Sequence, residues 1–255
     1  MSADDRALMM FEPDFAGAEV SPSPNFGERR GGLLPDMLIL HYTGMETGQG
    51  AQDWLCAPES EVSSHYLVHE DGRIVQMVRE ADRAWHAGRS SWQGCEDINS
   101  CSIGIEIANA GHPQGLPDFP DIQIEAVLKL GKDICRRHKI GPKRVLGHSD
   151  IAPGRKVDPG ENFPWERLAK GGLGTFVAVP PISGGHSLGA GDAGPAVQAL
   201  QRLLSGYGYG IAQTGIFDRD TEVSVREFQR HFRPLEINGI ADVWTCAILQ
   251  KLMYD

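Results

Sequence analysis

His148, Lys156 and Asp158 share the stretch VLGHSDIAPGRKVDPG (residues 145–160), and His41 closes the apolar run MLILH far upstream. Two imidazoles and one carboxylate are the ligand set of a catalytic zinc that keeps its fourth position open. Taken singly, a histidine at the end of a buried strand is more often a satisfied core residue. A second such histidine, followed by a loop that returns a carboxylate, shifts the balance toward a metal site. Pro153, Gly154, Pro159 and Gly160 constrain that loop, so His148 and Asp158 can meet without helical spacing. A divalent cation held by two neutral imidazoles and one carboxylate retains positive charge, acidifies water and polarises a carbonyl. Glu106 is the candidate base for that water, and Lys156 is a cation placed where an oxyanion would form. Alone, Glu106 reads as an edge-strand carboxylate and Lys156 as an ordinary loop charge. Together with the ligand set they point to a metal-dependent hydrolase.

The elements that must position these residues follow from pattern. MLILH (37–41), after Pro35-Asp36, reads as a strand buried on both faces. A short helix is expected at Gln52–Leu55, then a hairpin in HYLVHEDGRIVQMV with its turn at Glu70-Asp71-Gly72. In SIGIEIAN (102–109), Ile103, Ile105 and Ile107 face one way, and Ser102, Gly104, Glu106 and Ala108 the other. The small face leaves room for a ligand, with Glu106 aimed into it. Residues 121–138 repeat apolar positions as an amphipathic helix opening at an Asp cap, and RVLGH is a further strand. Strands alternating with helices make an α/β layered domain.

The expected divisions are an irregular lead-in over 1–35, a catalytic domain over 36–170, a Gly/Pro/Ser-rich linker over 171–187 and a small helical domain over 188–255. In the last, GIFDRDT and GIADVWT share G-I-x-D-x-x-T, with Asp218 and Asp242 as N-caps of two helices. GDAGPAVQALQRLL opens another, with Val197, Leu200, Leu203 and Leu204 on one side. GAGDAG (189–194) matches G-x-G-x-x-G in letters only, since no strand precedes it. His65 and His69 lie in a β pattern, so their four-residue spacing does not pair them as ligands.

A chain of 255 residues with 41% hydrophobic content can bury a real core as one large or two unequal domains. The net charge of −10 argues against nucleic acid as a partner. Five scattered cysteines without a C-x-x-C pair fit reduced thiols better than a disulfide framework and offer no nucleophile. The acidic start MSADDRALMMFEPDF lacks the basic and apolar regions of a secretory signal. No run approaches the ~18 apolar residues of a membrane span. A cytoplasmic protein is expected, or a periplasmic or wall-facing one if a leader has been removed.

HYTG, SSHYLVHEDGRIVQMV, AWHAG, SIGIEIAN and GHSDIAPGRKVDPG, in this order, resemble the type 2 N-acetylmuramoyl-L-alanine amidases, the AmpD/AmiD-like zinc family. The resemblance spans roughly residues 30–170. It implies a mixed central β-sheet flanked by helices, with Zn2+ held by His41, His148 and Asp158 and with Glu106 and Lys156 as the catalytic pair. It places His86, Trp85, Tyr42 and Asn109 at the substrate. The implied reaction cleaves the amide between the lactyl group of N-acetylmuramic acid, or its 1,6-anhydro form, and L-Ala of the stem peptide. GDAGPAVQALQ, GIFDRDTEVSVREFQ and GIADVWT resemble a three-helix peptidoglycan-binding domain. Peptidoglycan or soluble muropeptide is therefore the expected partner, and a monomer the expected state. Two alternatives share the fold: a phage-type endolysin and a non-catalytic peptidoglycan-recognition protein. The second usually lacks a zinc ligand, whereas all three positions are filled here.

Overall fold

The computed structural model describes residues 10–180, 182 and 184–254, and the chain divides into two compact units. The first comprises Met1–Gly88, Asp97–His148 and Asp158–Thr175; the second comprises Arg89–Glu96, Ser149–Val157 and Phe176–Asp255. The second unit thus takes in two short segments that lie, in sequence, inside the 36–170 stretch.

The strands in chain order are β1 (Glu19–Val20), β2 (Phe26–Gly27), β3 (Met37–Tyr42), β4 (Tyr66–Val68), β5 (Ile74–Gln76), β6 (Arg83–Ala84), β7 (Ser102–Ile107) and β8 (Val145–Gly147). Six form one sheet in the order β1-β5-β4-β7-β3-β8, and β2 pairs with β6. The β4–β5 hairpin is antiparallel and the other neighbours in the large sheet are parallel. The sheet is therefore mixed, and the class is α/β as expected. β3 lies inside it, and Met37 to Leu40 are fully buried, which is why the run is apolar without alternation. Gly72 closes the hairpin at φ 85°, a conformation glycine adopts without steric cost.

The lead-in is less irregular than expected: β1 extends the large sheet beside β5, and β2 pairs with Ala84 and Arg83. Strands of two residues carry no period to read. Arg29, between β2 and β3, donates to the carbonyls of Glu80, Asn99, Ser100 and Ser102.

Helix α1 (Gly48–Leu55) starts earlier than its apolar residues suggest, because the Thr47 hydroxyl accepts from the Gly50 N–H and caps it. A short α2 (Ile98–Cys101) leads into β7. Helix α3 (Asp121–His138) buries Ile124, Val127, Leu130 and Ile134. Its N-cap is Pro120 rather than an aspartate, and Asp121 is the first helical residue. The buried Gln123 carboxamide ties this helix to the sheet, donating to the carbonyls of Val68 and Ala108. A one-turn α4 (His148–Ile151) and α5 (Trp165–Lys170) follow.

At the C-terminal end of α3, Arg137 and His138 grip the buried Glu80 carboxylate, which also accepts from Tyr66 Oη at 2.6 Å. Burial pushes this carboxyl up, but the hydrogen bonds from Arg137, His138 and Tyr66 outweigh it and hold its pKa at about 2, against 4.5. A carboxylate depressed in the folded state stabilises above its unfolded pKa, and that contribution disappears as pH falls from 4.5 toward 2. Glu80→Gln should cost about 3 kcal/mol at neutral pH and flatten the acid limb of the stability curve. Denaturant titrations at pH 7, 4 and 3 would check both, and equal slopes for the two proteins would refute the assignment.

In the second unit, α6 (Pro195–Tyr207), α7 (Arg219–Phe232) and α8 (Val243–Tyr254) follow one another. The echo in the sequence is a structural repeat. Asp218 accepts from the Thr221 N–H, and Asp242 from the Thr245 N–H. In each copy a buried glutamine of the preceding helix pins the loop. Gln201 accepts from the Gly215 N–H and donates to the Ile216 carbonyl; Gln229 does the same with Gly239 and Ile240. Among the described residues, no helix is long and apolar enough to cross a membrane.

Candidate active site

Leu40 of β3 is in register with Gly147 of β8, so each strand delivers its next residue, His41 and His148, to the same sheet edge. Asp158 comes back to join them. His41 Nδ1 lies 2.9 Å from His148 Nδ1 and 3.1 Å from Asp158 Oδ2, and His148 Nδ1 is 3.0 Å from the same oxygen. The three residues are 1%, 3% and 6% exposed. They are the one group among the described residues whose ligand atoms converge as a metal site would require.

The surrounding hydrogen bonds decide which atoms carry protons. The Ala87 carbonyl can only accept, so the 3.0 Å contact to His148 Nε2 places a hydrogen there, and in the neutral ring Nδ1 is then a lone pair. On the other side, the Ser102 hydroxyl donates to the Ile98 carbonyl at 2.6 Å, and so accepts from His86 Nε2 at 3.1 Å. His86 Nδ1 then accepts from His41 Nε2 at 3.0 Å, and His41 Nδ1 is also a lone pair. Burial, reinforced by the neighbouring imidazoles, pushes the His86 pKa well down, which keeps it a neutral acceptor. Burial would push the Asp158 carboxyl up, yet any proton shared among the three sits on His148 or His41, and donated from there it holds the carboxyl well below the usual carboxylate range. Without that proton, two imidazole lone pairs and an ionised carboxylate face one another. A shared proton satisfies one pair at a time, whereas a cation satisfies all three. Tetrahedral zinc spaces its ligand atoms by ~3.3 Å, close to what these atoms show, so the residues present fit a zinc ion. His86 and the Ala87 carbonyl are the supports that aim the two rings.

Glu106 of β7 is in register with His41 across the β3–β7 pair, so both side chains leave the sheet on the same face. The expectation that small residues leave room there for a ligand fails at Gly104. A Cβ at that position would lie 2.6 Å from His86 Cγ, because the imidazole of His86 fills the space. His65 adds a second ring there, accepting from the Gly104 N–H, and burial holds its pKa down to about 3. Sequence pattern shows that a strand face is small but not what packs on it.

His86 itself is 8% exposed and meets His41 edge-on. Trp85 is half-buried, with its backbone N–H on the Ser63 hydroxyl. Tyr42 Oη lies 3.0 Å from His112 Nδ1, and His112 Nε2 is 3.1 Å from Glu161 Oε2. Asn109 is buried and spends its carboxamide on the Pro117 carbonyl and the Gly111 N–H, which shapes the loop after β7. Lys156, half-buried, belongs to the 149–157 segment of the second unit. Sequence reasoning missed the parts played by Ser102, Ala87, His112 and Glu161. Ser102 and Ala87 stand inside the motifs SIGIEIAN and AWHAG, but a serine and a backbone carbonyl carry no mark of what they support.

The chain is similar to known proteins over most of its length. The N-acetylmuramoyl-L-alanine amidase family model matches residues 31–161, and a peptidoglycan binding domain model matches residues 193–249. The N-acetylmuramoyl-L-alanine amidase AmiD of Escherichia coli K12 is 36% identical over 229 residues, covering 85% of this chain and 82% of the relative. The solved complex of E. coli AmiD with anhydro-N-acetylmuramic acid-L-Ala-D-gamma-Glu-L-Lys superposes with a TM-score of 0.73 at 34% identity, over 90% of this chain and 97% of that one. AmpDh3 of Pseudomonas aeruginosa, solved with an anhydromuramic pentapeptide, gives 0.67 at 32% identity, over 94% and 97%. With a family model on half of the sequence and a relative matched over most of its length, the chain belongs to the N-acetylmuramoyl-L-alanine amidase family.

Proposed function

We propose that the chain hydrolyses the lactyl–L-Ala amide of muropeptides as a zinc enzyme, with His41, His148 and Asp158 as the metal ligands. The observation that carries this reading is the convergence of His41 Nδ1, His148 Nδ1 and Asp158 Oδ2 within 3.1 Å of one another, with the other ring nitrogen of each imidazole held by His86 or by the Ala87 carbonyl. A zinc ion held there would polarise the scissile carbonyl and make water acidic enough to attack near neutral pH. Glu106 takes the proton from the attacking water and passes it to the leaving L-Ala nitrogen, so the products are a lactyl carboxylate and a peptide with a free amino terminus. The Lys156 ammonium offsets the charge that gathers on the carbonyl oxygen.

Residues 36–170 form the catalytic domain in this proposal, and 188–255 bind peptidoglycan. The two solved relatives carry anhydromuramyl peptides, which supports soluble anhydro-muropeptides as substrate here. The test is metal analysis combined with mass spectrometry of products from anhydro-muropeptide and from intact sacculi. One zinc per chain and new L-Ala amino termini are expected, with the soluble substrate turned over at least as well as the polymer. Tight muropeptide binding by zinc-loaded protein without turnover would instead establish a recognition protein.

A further inference from the structure

The segment joining His148 to Asp158 belongs to the C-terminal unit. Residues 149–157 cluster with Arg89–Glu96 and the C-terminal helices, while the residues at both their ends cluster with the sheet. Four contacts inside that unit hold the segment. Asp150, fully buried in its side chain, accepts from Tyr209 Oη at 3.1 Å and from His231 Nδ1 of α7 at 2.8 Å. The Ile151 carbonyl accepts from the Ser91 N–H at 2.9 Å. Gly154, at φ 72°, lies against Val223 of α7, which a Cβ there would approach to 3.4 Å. Next to these, Trp92 is fully buried, with the rings of Tyr207 and Tyr209 edge-on at 5.4 and 5.1 Å. Burial first, and the Asp150 charge second, push the Tyr209 hydroxyl well up, so it remains a donor.

A segment anchored only by solvated turns would let its two ends drift. Here both oxygens of one buried carboxylate are held by donors from the helical unit, and buried hydrogen bonds to a charged group are the strong ones. The segment's covalent neighbours are two of the three ligands, and it carries Lys156. We propose that the helical C-terminal unit is part of the catalytic apparatus: Tyr209 and His231 are positioning residues that act through Asp150 on the 149–157 loop, and so set the spacing of His148 and Asp158. This goes beyond wall binding by that unit, and it rests on the reading of His148 and Asp158 as metal ligands.

The test uses full-length protein. Tyr209→Phe removes one hydroxyl, Asp150→Asn removes the charge, and His231→Asn keeps a donor where His231→Leu does not. Leu249→Ala, a fully buried position in α8, serves as a control that loosens the helical unit without removing either donor to Asp150. Metal affinity is read by competition with a chromogenic chelator, and ligand geometry by the visible spectrum of the cobalt-substituted protein. Tyr209→Phe, Asp150→Asn and His231→Leu are expected to weaken metal binding about tenfold, the lower end for residues that orient ligands, and to shift the cobalt bands. His231→Asn should recover part of the loss, and Leu249→Ala should lower the melting temperature while leaving affinity and spectrum unchanged. Loop variants within twofold of wild type would overturn the proposal, as would affinities that follow melting temperature through the control as well. Failure of the wild-type protein to take up a metal would bring down the ligand assignment itself, in a different arm of the experiment.

Discussion

Asp158→Asn is expected to reduce amide hydrolysis by at least about a thousandfold and to leave the protein without tightly bound metal. Residues that merely orient a ligand cost about 10- to 100-fold in affinity or activity, and loss of a ligand costs more. The carboxamide has the shape of the carboxylate but turns part of the site into a donor with no charge. Two imidazole lone pairs, held in place by the Ala87 carbonyl and by His86, would then face a neutral group. The ion's net attraction to the site falls accordingly. The measurement is metal content after gel filtration, alongside turnover of anhydro-muropeptide with and without added zinc. A variant that retains metal and more than a tenth of wild-type turnover would remove Asp158 from the ligand set. Because Asp158 is buried between two imidazoles, circular dichroism should accompany the assay. An intact spectrum separates loss of the ligand from loss of the fold.

The sequence makes the three converging side chains legible because each is tied to a local rule. His41 ends an apolar run that only a central strand explains, and His148 follows directly on a second strand. Asp158 stands in a loop whose prolines and glycines leave few conformations. The α3 helix is legible at both ends because eighteen residues carry a clear 3.6-residue period. What pattern could not supply is long-range partnership. His86 supports His41 across 45 positions, and Ser102 supports His86 in turn, yet neither interaction leaves a period or spacing behind. The hold on Asp150 is less visible still, since Tyr209 and His231 lie 59 and 81 positions away in a region that reads as a separate helical module. Compositional boundaries mark where linkers begin. They do not show that the nine residues between His148 and Asp158 group with the C-terminal helices.

Glu106→Gln should lower kcat by about 10²- to 10⁴-fold, the span that a positioned general base contributes, while metal content and KM stay near wild type. The carboxamide would keep the volume and polarity of the position beside His41 but could neither accept the water proton nor return it. The loss therefore falls on the step that needs proton transfer, not on binding. A substrate analogue with an ester in place of the lactyl amide separates the two halves of that task. Its oxygen leaving group needs less protonation than an amine, so the variant should recover part of its deficit on the ester. Lys156→Met, expected to cost about 10²- to 10³-fold through oxyanion stabilisation, should show no such recovery, because the same oxyanion forms from ester and amide. Equal ester rescue in both variants would mean that neither residue holds the role assigned to it. An unaffected kcat in Glu106→Gln would place the base elsewhere, and in that event His112, which lies between Tyr42 and Glu161, is the next side chain to substitute.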